Sequence, residues 1–189
     1  MEKSDILINL KLDCLDKYSF EEVRIWRNKL DNNILRTPFK LTKEMQENFY
    51  NDEICNRKSK HRYLGLYEFK EDYFQIIACI GIINIEWENR LGEISLIVNP
   101  AYTNIGYGKI AFLNLLTFGF NDLNLENIFG ECYECSPHVG FWEKMIKEFN
   151  GQKSILYNRK YYSLKYYNSL YFNFNKQNFY LDRTIKYSD

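Results

Sequence analysis

The chain has 189 residues, 46% hydrophobic and 26% charged, the composition of a globular protein with one full core, so a single domain over residues 1–189 is expected. Lys and Arg total 25 and Asp and Glu total 25, which leaves no electrostatic footprint for a nucleic-acid or membrane-surface partner. The charged start "MEKSDILINLKLDCLDKYSF" lacks an apolar signal core and no run reaches the ~18 apolar residues of a membrane span, so a cytoplasmic protein is expected.

In chain order, "ILINLKL" (6–12) alternates apolar and polar residues as a strand does. "SFEEVRIWRNKL" (19–30) opens with a serine and glutamates suited to a helix start, and Thr42 is placed to cap a second helix in "LTKEMQENFYND" (41–52). The basic "NRKSKHR" (56–62) reads as a solvated loop. "RYLGLYEF" (62–69) and "FQIIACIGIINIEW" (74–87), rich in β-branched and aromatic residues and joined by "KED", form a predicted hairpin. A turn at "ENRLG" (88–92) leads into the short apolar strand "EISLIV" (93–98), which stops at Pro100. Helical spacing follows, with Ile110, Leu113, Leu116 and Phe120 recurring in "GKIAFLNLLTFGFNDL" (108–123). A strand "NIFGECYE" (127–134), a helix "PHVGFWEKMIKEF" (137–149) with proline in its first turn, and strands "QKSILYN" (152–158) and "YYNSLYFNF" (166–174) complete a mixed α/β sheet.

Cys14, Cys55, Cys79, Cys132 and Cys135 are odd in number and irregularly spaced, which reads as free thiols in a reducing compartment. Cys132 and Cys135 form a CxxC. With no second CxxC and only His61 and His138 beside it, no metal site is expected.

Gly106 and Gly108, in "NPAYTNIGYGKIAF" (99–112), fall between an apolar strand and a helix start. The first helical N–H groups have no intrahelical partner and carry the positive end of the helix dipole, so an anion is stabilised there. Glycine lets the backbone approach a phosphate with no Cβ in the way. The stretch lacks the third glycine of a dinucleotide fingerprint and the Lys-Ser/Thr of a P-loop, and alone it also fits a plain turn.

In context, "EISLIVNPAYTNIGYGKIAF" resembles the acetyl-CoA signature of the GNAT acetyltransferase superfamily: an apolar strand, an Asn-Pro, then R/Q-x-x-G-x-G/A opening a helix. "ECSPHVGFWEKM" resembles the family's second landmark, N-x-x-A-I-x-L-Y-E-K. "IWRN" (25–28) and the closing "KYYNSLYFNF" are similar to the branch that acetylates protein N-termini and nucleotide-sugar amines. The resemblance implies the GNAT fold, a mixed, mostly antiparallel seven-stranded sheet with four helices and splayed central strands, and acetyl-CoA as cofactor. It implies that Ile97 and Val98 pair with pantetheine and that Thr103, Asn104, Ile105, Gly106, Tyr107, Gly108 and Lys109 cradle the pyrophosphate. Cys135, Trp142 and Lys144 would complete the cofactor side. Thr103 replaces the usual Arg or Gln, Cys135 the usual Asn, and Trp142 the tyrosine that often protonates the departing thiolate, a task an indole N–H cannot perform.

Amine acetylation by a thioester proceeds by direct attack, so the enzyme must supply a neutral amine and a route for protons. Glu93, where relatives often hold a glutamate, is either that base or a strand-end charge paired with Arg90. His138 beside a helix start is either a neutral imidazole base or a polar cap. Tyr133 is a further candidate acid, or one of sixteen tyrosines in core or rim. By the resemblance, the acceptor pocket draws on Trp26, Arg27, Asn28, Arg36, Phe39, Tyr162, Tyr166 and Tyr167; the alternative is that Trp26 is the buried face of an amphipathic helix and Arg27 its solvated edge. Aromatic and arginine groups suit a nucleotide base and a phosphate, so the favoured acceptor is the amine of a nucleotide-activated amino sugar. A protein N-terminus and a non-catalytic acetyl-CoA-binding module are the alternatives. The expected partner is a small-molecule amine, with no nucleic acid or membrane, and the expected state is monomer or homodimer.

Overall fold

The computed structural model describes residues 9–31 and 35–180. The strands are β1 (Leu10–Asp13), β2 (Arg62–Lys70), β3 (Tyr73–Glu86), β4 (Leu91–Val98), β5 (Asn127–Tyr133), β6 (Gln152–Tyr162) and β7 (Lys165–Asn175). The helices of seven or more residues are α1 (Lys17–Lys29), α2 (Lys43–Phe49), α3 (Tyr107–Thr117) and α4 (Val139–Glu148). The seven strands form one sheet in the order β1-β2-β3-β4-β5-β7-β6. Its β1–β2, β2–β3, β5–β7 and β6–β7 pairs are antiparallel, and β4–β5 is parallel.

The chain divides into two compact units interleaved in sequence: Met1–Leu30, Lys40–Asn84 and Ser95–Thr117, and Asp31–Phe39, Ile85–Ile94 and Phe118–Asp189. In the first, α1 begins earlier than the serine at position 19 suggests. Asp16 is the N-cap, its carboxylate accepting from the Ser19 N–H at 2.7 Å. Phe20, Val23 and Trp26 recur along one face of α1 and pack into a core with Leu15, Tyr67, Ile76 and Cys79. Each such burial contributes about 1.5–3 kcal/mol. Thr42 caps α2 as expected, accepting from the Met45 N–H at 3.2 Å. The predicted hairpin is present as β2–β3, with Lys70 opposite Tyr73 and Glu71 at φ 48° in the turn. Its register skips Ile77, from Leu66↔Ala78 to Tyr67↔Ile76, and the Ile77 carbonyl instead accepts from the Asn99 N–H at 2.8 Å. That bond fixes the chain just before the glycine turn.

In the second unit, β4 starts at Leu91, inside the expected "ENRLG" turn, because Leu91, Gly92 and Glu93 pair with Asn127, Ile128 and Phe129 of β5. Ile128, Gly130 and Cys132 of β5 are buried, so Phe129, Glu131 and Tyr133 point to the other face. A Cβ on Gly130 would lie 2.6 Å from the Phe172 ring, so glycine is what lets that ring lie against β5. Pro137 precedes α4 rather than entering its first turn, and His138 is the N-cap. β1 covers only the end of the predicted 6–12 strand, whose residues 6–8 lie outside the described residues.

Candidate active site

Two largely buried carboxylates organise the second unit. Glu93 on β4 and Glu131 on β5 have side chains 8% and 7% exposed. Arg36, from the connection between α1 and α2, ion-pairs with Glu93, and its Nη2 lies 3.4 Å from Glu131 Oε2. Glu131 is held independently: Arg159 Nε donates to it at 2.9 Å and Ser169 Oγ at 2.6 Å. Burial pushes the Glu131 carboxyl up, but Arg159, Ser169 and Arg36 outweigh it and hold the group below the usual carboxylate range. Burial likewise opposes the Arg36 charge, and Glu93 and Glu131 overcome it. Tyr133 belongs to the same cluster, its phenol pushed up by burial and then by Glu131. Tyr171, stacked on Phe129 at 5.8 Å, is raised by burial and by Glu93 and Glu131. Lys160 donates to the Leu35 carbonyl at 2.8 Å, which pins the residue preceding Arg36.

The glycine turn is built in the first unit. Asn99 Oδ1 accepts from the Ala101 N–H at 3.0 Å, and the Thr103 hydroxyl donates to the Pro100 carbonyl at 3.0 Å. Asn104 at φ 64° and Gly106 at φ 105° then reverse the chain into α3. A Cβ at Gly106 would meet nothing within 4 Å, so the space above the turn is open, and its backbone conformation is one that L side chains resist. The Lys109 N–H donates back to the Gly106 carbonyl at 3.1 Å and is spent inside the first helical turn. The Tyr107 and Gly108 N–H groups precede it and, by helix geometry, have no intrahelical acceptor. An open, positively polarised turn with these donors fits a diphosphate.

The structure brings Glu93, Tyr133 and Arg36 together and places other sequence candidates elsewhere. Glu93 pairs with Arg36 and not with Arg90, which binds Asn124 and Glu126. Trp26 is 4% exposed in the core, so its ring cannot stack on a base. Asn28 is fixed by two bonds to the Leu41 backbone, at 2.8 and 2.9 Å. Arg27 is half-buried on the same helix. Arg36 is engaged by carboxylates rather than presented to a phosphate. The exposed His138 imidazole caps nothing and has no hydrogen-bond partner among the described residues. Trp142 stacks on Phe172 at 4.7 Å and meets the edge of Phe141 at 5.0 Å. Lys144 and Ile105 are exposed and Cys135 is half-buried beyond the end of β5, while Ile97 and Val98 are half-buried at the end of β4. Tyr166 and Phe39 are exposed, Tyr166 pairing with Tyr161 at 5.1 Å.

Glu131, Arg159, Ser169 and the buried Glu68 were missed from sequence. The available signal was a carboxylate inside a strand, flanked by aromatics, in "NIFGECYE" and in "RYLGLYEF".

The family model for the acetyltransferase (GNAT) domain matches residues 10–135. Among solved structures, the chain is similar to the spermidine N-acetyltransferase of Vibrio cholerae in complex with CoA and spermine. The TM-score is 0.78 at 15% identity, covering 92% of this chain and 99% of that one. A structure of the Vibrio cholerae spermidine/spermine N-acetyltransferase with manganese ions gives 0.75 at 16% identity, covering 95% and 99%. A mutant of the Vibrio cholerae enzyme gives 0.76 at 19%, covering 94% and 99%. At such identities the likeness shows the fold. These structures are spermidine N-acetyltransferases, and they do not show the branch expected from "IWRN" and the closing strand. No curated protein sequence matches the chain.

Proposed function

This chain belongs to the GNAT acetyltransferase family, and from that premise we propose that it acetylates the primary amine of a cationic small molecule with Glu93 as general base. When bound, acetyl-CoA supplies the thioester carbonyl that an amine attacks. The turn from Thr103 to Gly108 would hold its pyrophosphate through the Tyr107 and Gly108 N–H groups. Thr103 adds no long side chain to that contact and serves the turn itself, through its bond to the Pro100 carbonyl.

An ammonium must lose a proton before it can attack, and the acceptor of that proton must be a carboxylate able to exist ionised in a largely buried place. Glu93 meets this requirement because Arg36 supplies its counter-charge. The observation that carries the reading is this pair of largely buried carboxylates, Glu93 and Glu131, gripping a guanidinium. Two largely buried carboxylates, one of whose two guanidinium partners, Arg36, has a side chain 47% exposed, suit an amine that arrives charged. The similar structures, a spermidine N-acetyltransferase and a spermidine/spermine N-acetyltransferase, support the same reading. Two of the features that suited a nucleotide sugar, Trp26 and Arg36, are engaged elsewhere, Trp26 in the core and Arg36 with the carboxylates.

Thiol release from acetyl-CoA over three acceptor sets tests this: aliphatic di- and polyamines, short peptides with free N-termini, and amino-sugar nucleotides. Turnover restricted to the amines is expected. Turnover restricted to the sugar nucleotides would overturn the choice of acceptor, and thiol release with none of the sets would overturn the catalytic reading in favour of a binding module.

A further inference from the structure

Tyr107 is the first residue of α3, yet its side chain is 4% exposed and its hydroxyl donates to Glu68 of β2. Glu68 is itself 5% exposed, and its second oxygen faces Lys70 Nζ at 2.5 Å. Lys70 Nζ also sits 5.8 Å from the centroid of the Tyr102 ring, and Tyr102 packs edge-on against Tyr107 at 5.5 Å and 89°. The four side chains close a circuit: Tyr107, Glu68, Lys70, Tyr102 and back to Tyr107. Tyr102 ends the helical turn before the glycine stretch and Tyr107 begins the helix after it, so the circuit grips both ends of residues 103–106.

A carboxylate buried to this degree is costly unless its oxygens are paired, so the partners of Glu68 are strongly held in place. Burial, and then Glu68, hold the Tyr107 phenol above the ordinary tyrosine range, and the group stays a donor. The fold needs none of this for its core, because α3 already buries Ala111, Phe112, Leu115 and Leu116 completely. What the circuit fixes is the position of the turn and the direction of its first N–H groups.

We propose that the side chains of Tyr107, Glu68 and Lys70 are positioning groups for the cofactor's pyrophosphate: they hold the turn at the geometry its backbone N–H donors need, and none of the three side chains touches the ligand. This rests on the reading that the turn receives the pyrophosphate of acetyl-CoA. Phosphate binding by backbone N–H groups is sensitive to their alignment, whereas pantetheine, which lacks the pyrophosphate, gains nothing from the turn.

The test compares coenzyme A with pantetheine by isothermal titration calorimetry, which needs no acceptor and no turnover. In Tyr107→Phe we expect coenzyme A affinity to fall about tenfold, the size of losing one well-aligned charged contact. Pantetheine affinity should be unchanged. Glu68→Gln keeps the shape and still accepts from Tyr107, so it should retain coenzyme A affinity better than Glu68→Ala. Where Tyr107→Phe fails to fold, Lys70→Met tests the same circuit from its more exposed end, with the same selective loss expected. Equal losses for both ligands, or none for either, overturn the proposal. Wild-type protein that binds coenzyme A no better than pantetheine overturns the underlying reading of the turn instead.

Discussion

Replacing Arg36 by alanine removes the cation that two carboxylates share, and the size of the effect follows from what each keeps. Breaking a fully buried ion pair costs about 3–5 kcal/mol because it strands a charge. Here the Arg36 side chain is 47% exposed, which lets water take part of its place, and Glu131 retains Arg159 and Ser169. Both moderate the loss, and we expect destabilisation of about 1–3 kcal/mol at pH 7. The sign with pH is fixed by the Glu131 carboxyl, which is held below its unfolded value of 4.5. Its contribution is present above that value and is lost as pH falls through the folded one. Part of that lowering comes from Arg36, so the difference between wild type and Arg36→Ala should shrink below about pH 4. Urea unfolding at pH 7 and pH 3.5, followed by circular dichroism, measures both. A difference under about 0.5 kcal/mol at pH 7, the scale of an ordinary surface substitution, or one of equal size at both pH values, would refute the reasoning.

Acetyl-CoA should raise the melting temperature of the wild-type protein by mass action, about 2.7 kcal/mol of stabilisation at a hundredfold excess over its dissociation constant. Gly108→Trp should abolish that shift while leaving the unliganded melting temperature close to wild type, because only the approach of the phosphate is blocked. Trp142→Phe should retain most of the acetyl-transfer rate, since neither ring can donate a proton to a thiolate, and thiol release under saturating acetyl-CoA checks it. Gly130→Ala should cost about 1–3 kcal/mol in urea unfolding, because its Cβ would press a Phe172 ring that is 1% exposed.

The order of strands and helices was legible because periodicity and turn chemistry are local. The β2–β3 hairpin, the Thr42 cap and the glycine turn each follow from neighbouring residues. The start of α1 was misplaced by three residues because Ser19 resembles a cap, whereas Asp16 reaches the Ser19 N–H and leaves that serine inside the helix. Trp26, which the resemblance places in the acceptor pocket, takes the alternative of a buried amphipathic face, in line with its spacing from Phe20 and Val23. The acidic cluster lay beyond reach for a different reason: Arg36 and Glu131 are 95 residues apart, and nothing local to either names the other. The same holds for Tyr107 and Glu68, 39 residues apart, whose pairing depends on the helix being laid against β2.

The central claim is that Glu93 takes the proton from the acceptor amine, and the most direct measurement is the rate of acetyl transfer by Glu93→Gln at saturating acetyl-CoA across pH. The glutamine keeps the shape and removes the basicity, so coenzyme A affinity should persist while turnover falls by roughly 10²–10⁴, the range for loss of a general base. The deficit should narrow at high pH, where more of the amine is already neutral. Turnover unchanged at every pH, with coenzyme A affinity intact, would contradict the account and leave Glu93 as a buried structural partner of Arg36.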